Sequence, residues 1–406
     1  MRPIDVKDVD VADVYKGEQL AGYLTRINGG VSFTYVDNYS AGGNDAVAST
    51  LPIQEAAYFT RSGAIPAFFA GLLPEGARLN AVIAATKTSS DDELSLLLAV
   101  GEDTVGDVRV VPQGHLPVAP AGILPSIPEE TSFLEMFANS IDPLGPVLDR
   151  ALPGVQDKLS DAMMSFPIKG TKGPTILKLN PSSFPRIVEN EAFCLQLAKR
   201  AGLTVPKFSI IKDRDNNSGL LVERFDRRVT GGTLVRVAQE DACQLLNRWP
   251  ADKYRVTFND IANRLVSVAS SGVASTMNLV EQIAFNWIIG NGDMHAKNYS
   301  VQWLKREQLV VPTPAYDLVS TLPYPLDQHM ALKLDGRDGN LRGKFLITFA
   351  ARFGIPESMS RRRLGVLADR VSPHIIDVSS IGYDDRTTQQ LIDEINRRLH
   401  TLCRFD

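Results

Sequence analysis

The stretch GNGDMHAKN, residues 290–298, concentrates polar side chains that are capable of chemistry. Asp293 and Asn298 lie five residues apart, and His295 lies between them. A second aspartate, Asp317, follows in TPAYDLVS. A carboxylate can accept the proton of an attacking hydroxyl group, and carboxylate and amide oxygens are suitable ligands for Mg²⁺. The order of these three oxygen-bearing residues is that of the catalytic loop and the magnesium loop of kinases.

The same residues have a simpler interpretation, a loop in which Asp293 and Asn298 close turns. Their spacing alone favours that interpretation, whereas Asp317 and the features below favour a magnesium–nucleotide site. His295 is expected to orient the loop rather than to bind a metal ion.

A nucleotide site also needs a cation for the phosphates, and Lys178 is the candidate. It lies centrally in TILKLN, a predicted strand, where a lysine is either an exposed residue or a phosphate partner. Glu191, near the start of the next predicted helix, could pair with Lys178 as in protein kinases, or could simply stabilise the helix dipole. The segment VERFD, residues 222–226, is either a hinge that offers backbone groups to adenine or an ordinary strand end.

The elements that would position these residues follow from hydrophobic spacing and turn signals. TILKLN, FSIIK, GLLVERF and YSVQWL predict strands, and VTGGTLV predicts a hairpin. ENEAFCLQLAKRAG predicts a helix that ends at Gly202. A helix with one apolar face is predicted to stop at Gly290, directly before the polar stretch, and a last helix is predicted from about Thr387.

The first hundred residues predict a separate unit of short strands and helical pieces. Val31, Phe33 and Tyr35 alternate as in a half-buried strand. Ser90 and Glu93 predict a capping box ahead of LSLLLAVG. The proline-rich stretch of residues 111–128 predicts an extended linker or a crossing at the edge of the unit.

A strand-rich part followed by a helix-rich part, with the polar cluster where they meet, predicts an α+β fold with two lobes. We predict three segments. Residues 1–125 form a small N-terminal subdomain, residues 126–228 a strand-rich lobe with the phosphate loop, and residues 229–406 a helical lobe with the catalytic and metal loops.

Composition restricts the classes of protein. The chain has 406 residues, of which 44% are hydrophobic, so it can bury a large core. It has no long apolar run that predicts a membrane span, and its first residues are polar and acidic, unlike a signal peptide. Three cysteines without metal-ligand spacing favour a reducing cytoplasm. A net charge of −4 disfavours unaided binding to nucleic acid.

Four motifs together resemble the HipA-type toxin kinases: LPGVQDKLS, LVERFDRR, GNGDMHAKN and YDLVS. The first of these holds a single glycine and is a weak phosphate-loop signal by its own pattern. FFAGLLPEG and VGEDTVGDV resemble the N-terminal subdomain of the long family members. The resemblance covers nearly the whole chain. It implies a bilobal protein-kinase-like fold and a Ser/Thr protein kinase that uses ATP and Mg²⁺.

The resemblance also implies roles for individual residues. Asp293 matches the general base, Asn298 and Asp317 match the Mg²⁺ ligands, and Lys178 matches the phosphate-binding lysine. The other ATP-binding positions match the hinge, the pocket lining and the phosphate loop: Glu223, Phe225, His295, Tyr316, Gly154, Val155, Gln156 and Lys158.

The partners implied by the resemblance are proteins. Known targets of the family are aminoacyl-tRNA synthetases, whose phosphorylation halts translation. A small helix-turn-helix antitoxin of the HipB type binds the kinase, so contact with DNA would be indirect.

Two positions depart from the family pattern. Gly292 stands where threonine is usual, a difference that we expect to matter little beside Asp293. Ala151 stands where many members carry a serine that they autophosphorylate to eject the phosphate loop. Alanine has no hydroxyl group, so this chain lacks that switch at residue 151.

Two other functions compete with a kinase toxin. One is a catalytically weak, kinase-like co-repressor that binds the antitoxin on DNA. A pure scaffold, however, would have no need for all four of the residues Lys178, Asp293, Asn298 and Asp317. The other is a small-molecule phosphotransferase on a related fold, which the N-terminal subdomain and the phosphate-loop match disfavour.

Overall fold

The computed structural model describes residues 5–118, 132–133, 135, 164–170, 173–181, 183–231 and 233–404. They form two compact units. The first contains the described residues up to 118 together with those of 226–252, and the second contains the described residues of 164–225 and 253–404. Helices and antiparallel sheets together make an α+β fold, as predicted. The division at residues 125 and 228 remains a prediction.

The first unit is built on an antiparallel sheet with the strand order β4-β3-β2-β1-β5. Its strands are β1 (Val11–Lys16), β2 (Gln19–Ile27), β3 (Gly30–Tyr35), β4 (Tyr58–Arg61) and β5 (Val108–Pro112). The accompanying helices are α1 (Asp37–Ala41), α2 (Ala67–Ala70), α3 (Gly76–Thr86) and α4 (Glu93–Val100). Val31, Phe33 and Tyr35 are buried on β3, as predicted, but Ser32 is buried as well, so the strand is not half-buried at that point.

The capping box predicted at Ser90 and Glu93 is wrong. Helix α4 begins at Glu93, and the Asp92 side chain caps it by accepting a hydrogen bond from the Ser95 N–H at 3.3 Å. The Glu93 carboxylate instead accepts the Ile65 N–H at 2.8 Å. The Asp92 side chain thus satisfies a first-turn donor and leaves Glu93 to join α4 to the segment before α2.

Residues 226–252 return the chain to the first unit. They form β10 (Arg227–Thr230), β11 (Thr233–Arg236), β12 (Ala238–Asp241) and α6 (Ala242–Leu245). Thr230 pairs with Thr233, as the predicted hairpin requires. The buried Arg227 guanidinium donates to the carbonyls of Thr104 and Gly106 at 2.7 and 2.8 Å, and thereby fastens this segment to the loop before β5.

The second unit begins with an antiparallel sheet in the order β6-β7-β9-β8. Its strands are β6 (Met164–Gly170), β7 (Gly173–Leu179), β8 (Phe208–Lys212) and β9 (Ser218–Glu223). Leu177 and Leu179 of β7 are buried on one face. Because side chains alternate along a strand, Lys178 projects from the opposite face.

Helix α5 (Ile187–Ala201) connects β7 to β8. It ends where predicted, at Gly202, whose φ of +95° is left-handed and whose N–H bonds back to Lys199. Glycine adopts this conformation without the steric cost of a Cβ atom. The helix buries an apolar face and carries Asn190 and Glu191 in its first turns.

The remainder of the second unit is mainly helical. Its helices are α7 (Phe258–Val268), α8 (Gly272–Ile289), α9 (Gly343–Ala351), α10 (Glu357–Val371) and α11 (Asp385–Leu402). The strand predicted from YSVQWL is confirmed as β13 (Ser300–Leu304), and it forms a hairpin with β14 (Leu309–Pro312). Within the ranges that the structure describes, no helix is both long and apolar enough to cross a membrane.

Helix α8 delivers the polar stretch to its place. Its residues from Leu279 to Ile289 are buried, so the helix is fixed in the core. It stops at Gly290, which has a φ of +70°. A Cβ atom at this position would lie 2.4 Å from the Cγ atom of Leu322.

We expect Gly290→Ala to destabilise the protein by about 1–3 kcal/mol, because the left-handed conformation disfavours alanine and Leu322 would have to move. Gly365→Ala is the matched control, since Gly365 lies within α10 and a Cβ atom there meets nothing within 4 Å. It should stabilise the protein by about 0.5–1 kcal/mol. Urea unfolding followed by circular dichroism measures both, and equal effects of the two substitutions would contradict the role of Gly290.

Candidate active site

Lys178 connects two carboxylates from different elements. Its ammonium donates to the Glu191 Oε1 atom of α5 at 2.7 Å and also to the Asp317 Oδ1 atom. Of the two roles left open for Glu191, the structure shows the pairing with Lys178. The Lys178 and Glu191 side chains are only 9% and 2% exposed, whereas that of Asp317 is 39% exposed. Asp317 is thus the member of this triad that solvent or a ligand can reach.

The electrostatics keep Lys178 charged. Burial alone would favour the neutral amine, but the Asp317 and Glu191 carboxylates outweigh it and raise the pKa of Lys178. Burial raises the pKa of Glu191 as well, against the attraction of Lys178. A charged Glu191 consequently depends on its neighbouring ammonium.

Asp293 lies buried in the loop after α8, and the hydroxyl of Tyr254 donates to its Oδ1 atom at 2.6 Å. The Asn298 amide donates to the Asp293 carbonyl at 3.1 Å, so these two predicted site residues are in direct contact. This hydrogen bond joins the two ends of the loop from Asp293 to Asn298.

Asn291 joins this loop to the segment that carries Asp317. Its Oδ1 atom accepts the Asp293 N–H at 2.9 Å, and its Nδ2 atom donates to the Asp317 carbonyl at 3.3 Å. Nδ2 also donates to Asn286 of α8 at 2.7 Å. The end of the buried helix thereby fixes both aspartates.

The backbone of Asp317 is constrained, and the side chain of Tyr316 beside it is held by hydrogen bonds. Asp317 is left-handed, with a φ of +51°, which aspartate tolerates better than most residues. The Tyr316 hydroxyl donates to the Lys297 carbonyl at 2.5 Å and lies 2.5 Å from the Ser300 hydroxyl. The residue before Asp317 is in this way held against the loop that follows Asp293.

The candidate hinge meets the same region through Phe225. Its ring lies 5.5 Å from the ring of Tyr316, and its carbonyl accepts a hydrogen bond from the buried Gln302 amide at 2.9 Å. Glu223 is the last residue of β9. Its N–H donates to the Lys207 carbonyl, and its side chain forms an ion pair with Lys207.

His295 is buried, and its ring packs edge-on against that of Tyr254, with centroids 5.2 Å apart. This packing agrees with the expectation that His295 orients the loop. The predicted phosphate-loop residues Gly154, Val155, Gln156 and Lys158, and likewise Ala151, lie outside the described residues.

Gly292 has a packing role that the sequence did not reveal. A Cβ atom there would lie 2.7 Å from the Asp327 carbonyl oxygen and 3.0 Å from that of His329. The expectation that glycine in place of threonine matters little beside Asp293 stays a prediction, because these distances concern packing. In this structure threonine at residue 292 would require residues 327–329 to move.

Three positioning residues were not anticipated: Tyr254, Asn291 and Gln302. Asn291 belongs to the polar stretch of residues 290–298, and Gln302 is a polar residue between two apolar ones, Val301 and Trp303, so both carried a signal. Tyr254 carried none, because its contact with Asp293 arises only from the tertiary fold.

A strand lysine paired with a helix glutamate and a loop aspartate, next to a second aspartate held on a loop after a buried helix, defines a kinase-like protein. Residues 150–375 match the family described as the HipA-like C-terminal domain, and residues 12–111 match the HipA N-terminal domain. The chain belongs to the HipA family and is a HipA-type kinase.

Similar proteins also place the chain in the HipA family, and a similar solved structure shares its fold. A putative kinase of Sinorhizobium fredii is 30% identical over 96% of this chain and 98% of its own length. The serine/threonine-protein kinase toxin HipA of Shewanella oneidensis is 30% identical over 78% of each chain. The structure of Shewanella oneidensis HipA in complex with HipB and operator DNA matches with a TM-score of 0.79 over 96% of this chain and 97% of that one, at 23% identity, which shows the shared fold.

We expect Lys178→Met to destabilise the protein by about 3–5 kcal/mol, because it leaves the buried Glu191 carboxylate without its cation. Adding Glu191→Gln should restore at least half of that loss, since the amide carries no charge. Lys207→Met is the control, because the Lys207 side chain is 82% exposed in its pair with Glu223 and should contribute less than about 1 kcal/mol. Urea unfolding of the four proteins tests this prediction, which fails if Lys178→Met and Lys207→Met cost the same.

Proposed function

We propose that this protein is a Ser/Thr protein kinase toxin that transfers the γ-phosphate of ATP to a hydroxyl group of a protein. The observation that carries the proposal is the contact of Lys178 with both Glu191 and Asp317, together with the link from Asn291 to Asp293 and Asp317. These contacts hold a phosphate-binding cation, a metal ligand and a base in one constellation before any substrate arrives.

The donor set fits Mg²⁺, which is commonly bound through one or two protein groups while phosphates and water complete its octahedron. Asp317 offers a partly exposed carboxylate. The Asn298 amide donates through Nδ2 to the Asp293 carbonyl, which leaves its Oδ1 atom to act as the oxygen ligand. When bound, Mg²⁺ would neutralise part of the phosphate charge.

Asp293 is the proposed base. It accepts the proton of the substrate hydroxyl as the hydroxyl oxygen bonds to the γ-phosphorus. The bond from that phosphorus to the bridging oxygen breaks, and ADP leaves with the electron pair. Tyr254 holds the Asp293 carboxylate in orientation through its 2.6 Å hydrogen bond. Lys178 stabilises the charge of the phosphates.

The adenine site is proposed at the backbone of Glu223 and Phe225. Gln302 fixes the peptide carbonyl of Phe225, and Tyr316 supports the Phe225 ring, so the hinge is held rigidly. Residues 154–158, including Lys158, are proposed to cover the phosphates, and His295 and Tyr316 to line the pocket.

The proposed partners follow the relatives. The Shewanella protein forms a complex with HipB and operator DNA, which supports a helix-turn-helix antitoxin as the partner of this chain. With a net charge of −4, this chain would approach DNA through that antitoxin. The proposed target is an aminoacyl-tRNA synthetase in the cytoplasm, where the free thiols of Cys194 and Cys243 would stay reduced.

The same complex favours a second candidate, a catalytically weak co-repressor that acts by binding the antitoxin. Kinase activity separates the two functions, because a co-repressor would bind its antitoxin without turning over ATP.

We expect Asp293→Asn to reduce phosphoryl transfer by about two to four orders of magnitude, since the amide cannot accept the proton. The test incubates labelled ATP and Mg²⁺ with a cell lysate and identifies the labelled protein band. Wild-type protein should label a synthetase and arrest growth when expressed, Asp293→Asn should do neither yet still bind ATP, and the exposed control Asp385→Asn should behave as wild type. Undiminished labelling by Asp293→Asn would refute the assignment of the base, and wild-type protein without any ATP turnover would favour the co-repressor.

We expect Asp317→Ala to weaken ATP binding by at least about tenfold in Mg²⁺ and much less in EDTA, because it removes a hard oxygen ligand of the metal ion. Asn298→Ala should show the same dependence on Mg²⁺. Isothermal titration in the two buffers measures the effect. Equal weakening with and without Mg²⁺ would show that Asp317 contributes only through Lys178.

A further inference from the structure

Asn190, the residue before Glu191 on α5, is completely buried and faces the segment that follows Asp317. Its Nδ2 atom donates to the Ser320 carbonyl at 2.9 Å, and the Ser320 N–H donates to its Oδ1 atom at 3.0 Å. The side-chain amide therefore pairs with one residue's backbone in both directions. Adjacent helical residues point about 100° apart, which lets Glu191 turn to Lys178 while Asn190 turns to Ser320.

The orientation of the Asn190 amide is fully determined by its surroundings. Nδ2 also donates to the Tyr383 hydroxyl at 3.1 Å, and the Cys194 thiol approaches Oδ1 at 3.5 Å. An asparagine side chain has two donor hydrogens and two acceptor positions, and all of them are used here. The Tyr383 hydroxyl also lies 2.9 Å from that of Tyr324, a residue of the same stretch of chain as Ser320.

Helix α5 is consequently connected at two points to residues 317–320, which we call the Asp317 segment. One connection runs from Glu191 through the Lys178 ammonium to the partly exposed Asp317 carboxylate, and binding of a nucleotide and a metal ion would alter it. The other runs from Asn190 directly to the Ser320 backbone in a dry interior, where a satisfied polar network is rigid. A buried asparagine needs hydrogen-bond partners, but they need not belong to one residue. Here the Ser320 backbone both accepts from and donates to the Asn190 amide.

We infer that Asn190 is a positioning residue that couples helix α5 to the Asp317 segment, so that Lys178 and Asp317 keep their relative position without a nucleotide. This role rests on the proposed function of Lys178 and Asp317. The coupling would also oppose an outward swing of the glutamate-bearing helix, the element whose position controls the lysine–glutamate pair in protein kinases.

Hydrogen exchange of the nucleotide-free protein tests the coupling directly. Asn190→Ala should speed amide exchange at residues 318–322 by at least about tenfold, because the Ser320 N–H loses its acceptor. Tyr383→Phe is the matched control, since it removes one hydrogen bond of Asn190 and leaves both bonds to Ser320. It should change exchange in that segment by less than about threefold. Equal effects of the two variants would overturn the inference.

Kinetics supply the second readout. Asn190→Ala should lower kcat by about 10- to 100-fold and raise the Mg²⁺ concentration needed for half-maximal rate, because small displacements of catalytic groups are costly. Nucleotide affinity in EDTA should stay within about threefold of wild type, and Tyr383→Phe should retain the wild-type Mg²⁺ requirement. An unchanged kcat and Mg²⁺ requirement in folded Asn190→Ala would contradict the coupling.

Asn190→Asp covers the case in which the alanine variant does not fold. It keeps an acceptor for the Ser320 N–H, so protection of residues 318–322 should persist while the Mg²⁺ requirement rises. Loss of protection throughout α5 and residues 318–322 in both Tyr383→Phe and Asn190→Asp would indicate a purely structural network. If wild-type protein shows no Mg²⁺-dependent turnover, the proposed function fails, whereas the exchange experiment still decides the coupling.

Discussion

The Lys178 ammonium is buried, and it stays charged there because two carboxylates flank it. Neither Glu191 nor Lys178 could remain alone in that environment without a large desolvation penalty. The ion pair therefore demands that strand β7, helix α5 and the Asp317 segment meet at one place. Much of the second unit can be understood as the scaffold that satisfies this demand.

The scaffold works mainly through backbone contacts. Asn291 donates to the Asp317 carbonyl, and Asn190 binds the Ser320 backbone. The Tyr316 hydroxyl donates to the Lys297 carbonyl. Side-chain amides suit this task because each can donate and accept at once. Helix α8 and helix α5, both well buried, provide the rigid bases from which these amides reach. The side chains proposed to act in catalysis, Asp293 and Asp317, are thus placed by residues that would not themselves touch a substrate.

The sequence predicted what depends on local order. Strands and the helix ends at Gly202 and Gly290 follow from periodicity and turn chemistry, and the structure confirms them. For Glu191 the sequence left two roles open, and the structure shows its pairing with Lys178. It could not predict contacts between residues far apart in the chain, such as Tyr254 with Asp293 or Asn190 with Ser320. The prediction of the α4 cap failed for a related reason. Ser90 and Asp92 are both good capping residues, and the contact of Glu93 with Ile65, which is distant in the chain, shows that Glu93 does not complete a capping box with Ser90.

The close approach of residues 327–329 to Gly292 restricts the order in which this chain can change during evolution. A threonine at residue 292, which the family resemblance implies as the usual residue, would meet the carbonyls of Asp327 and His329 in this structure. A chain that carries this glycine would therefore need a change in residues 327–329 to accommodate threonine, although these residues lie outside the proposed catalytic set. Neighbouring family members are thus expected to vary at these two places together, and a sequence that mixes the two states would encode a misfitted catalytic loop.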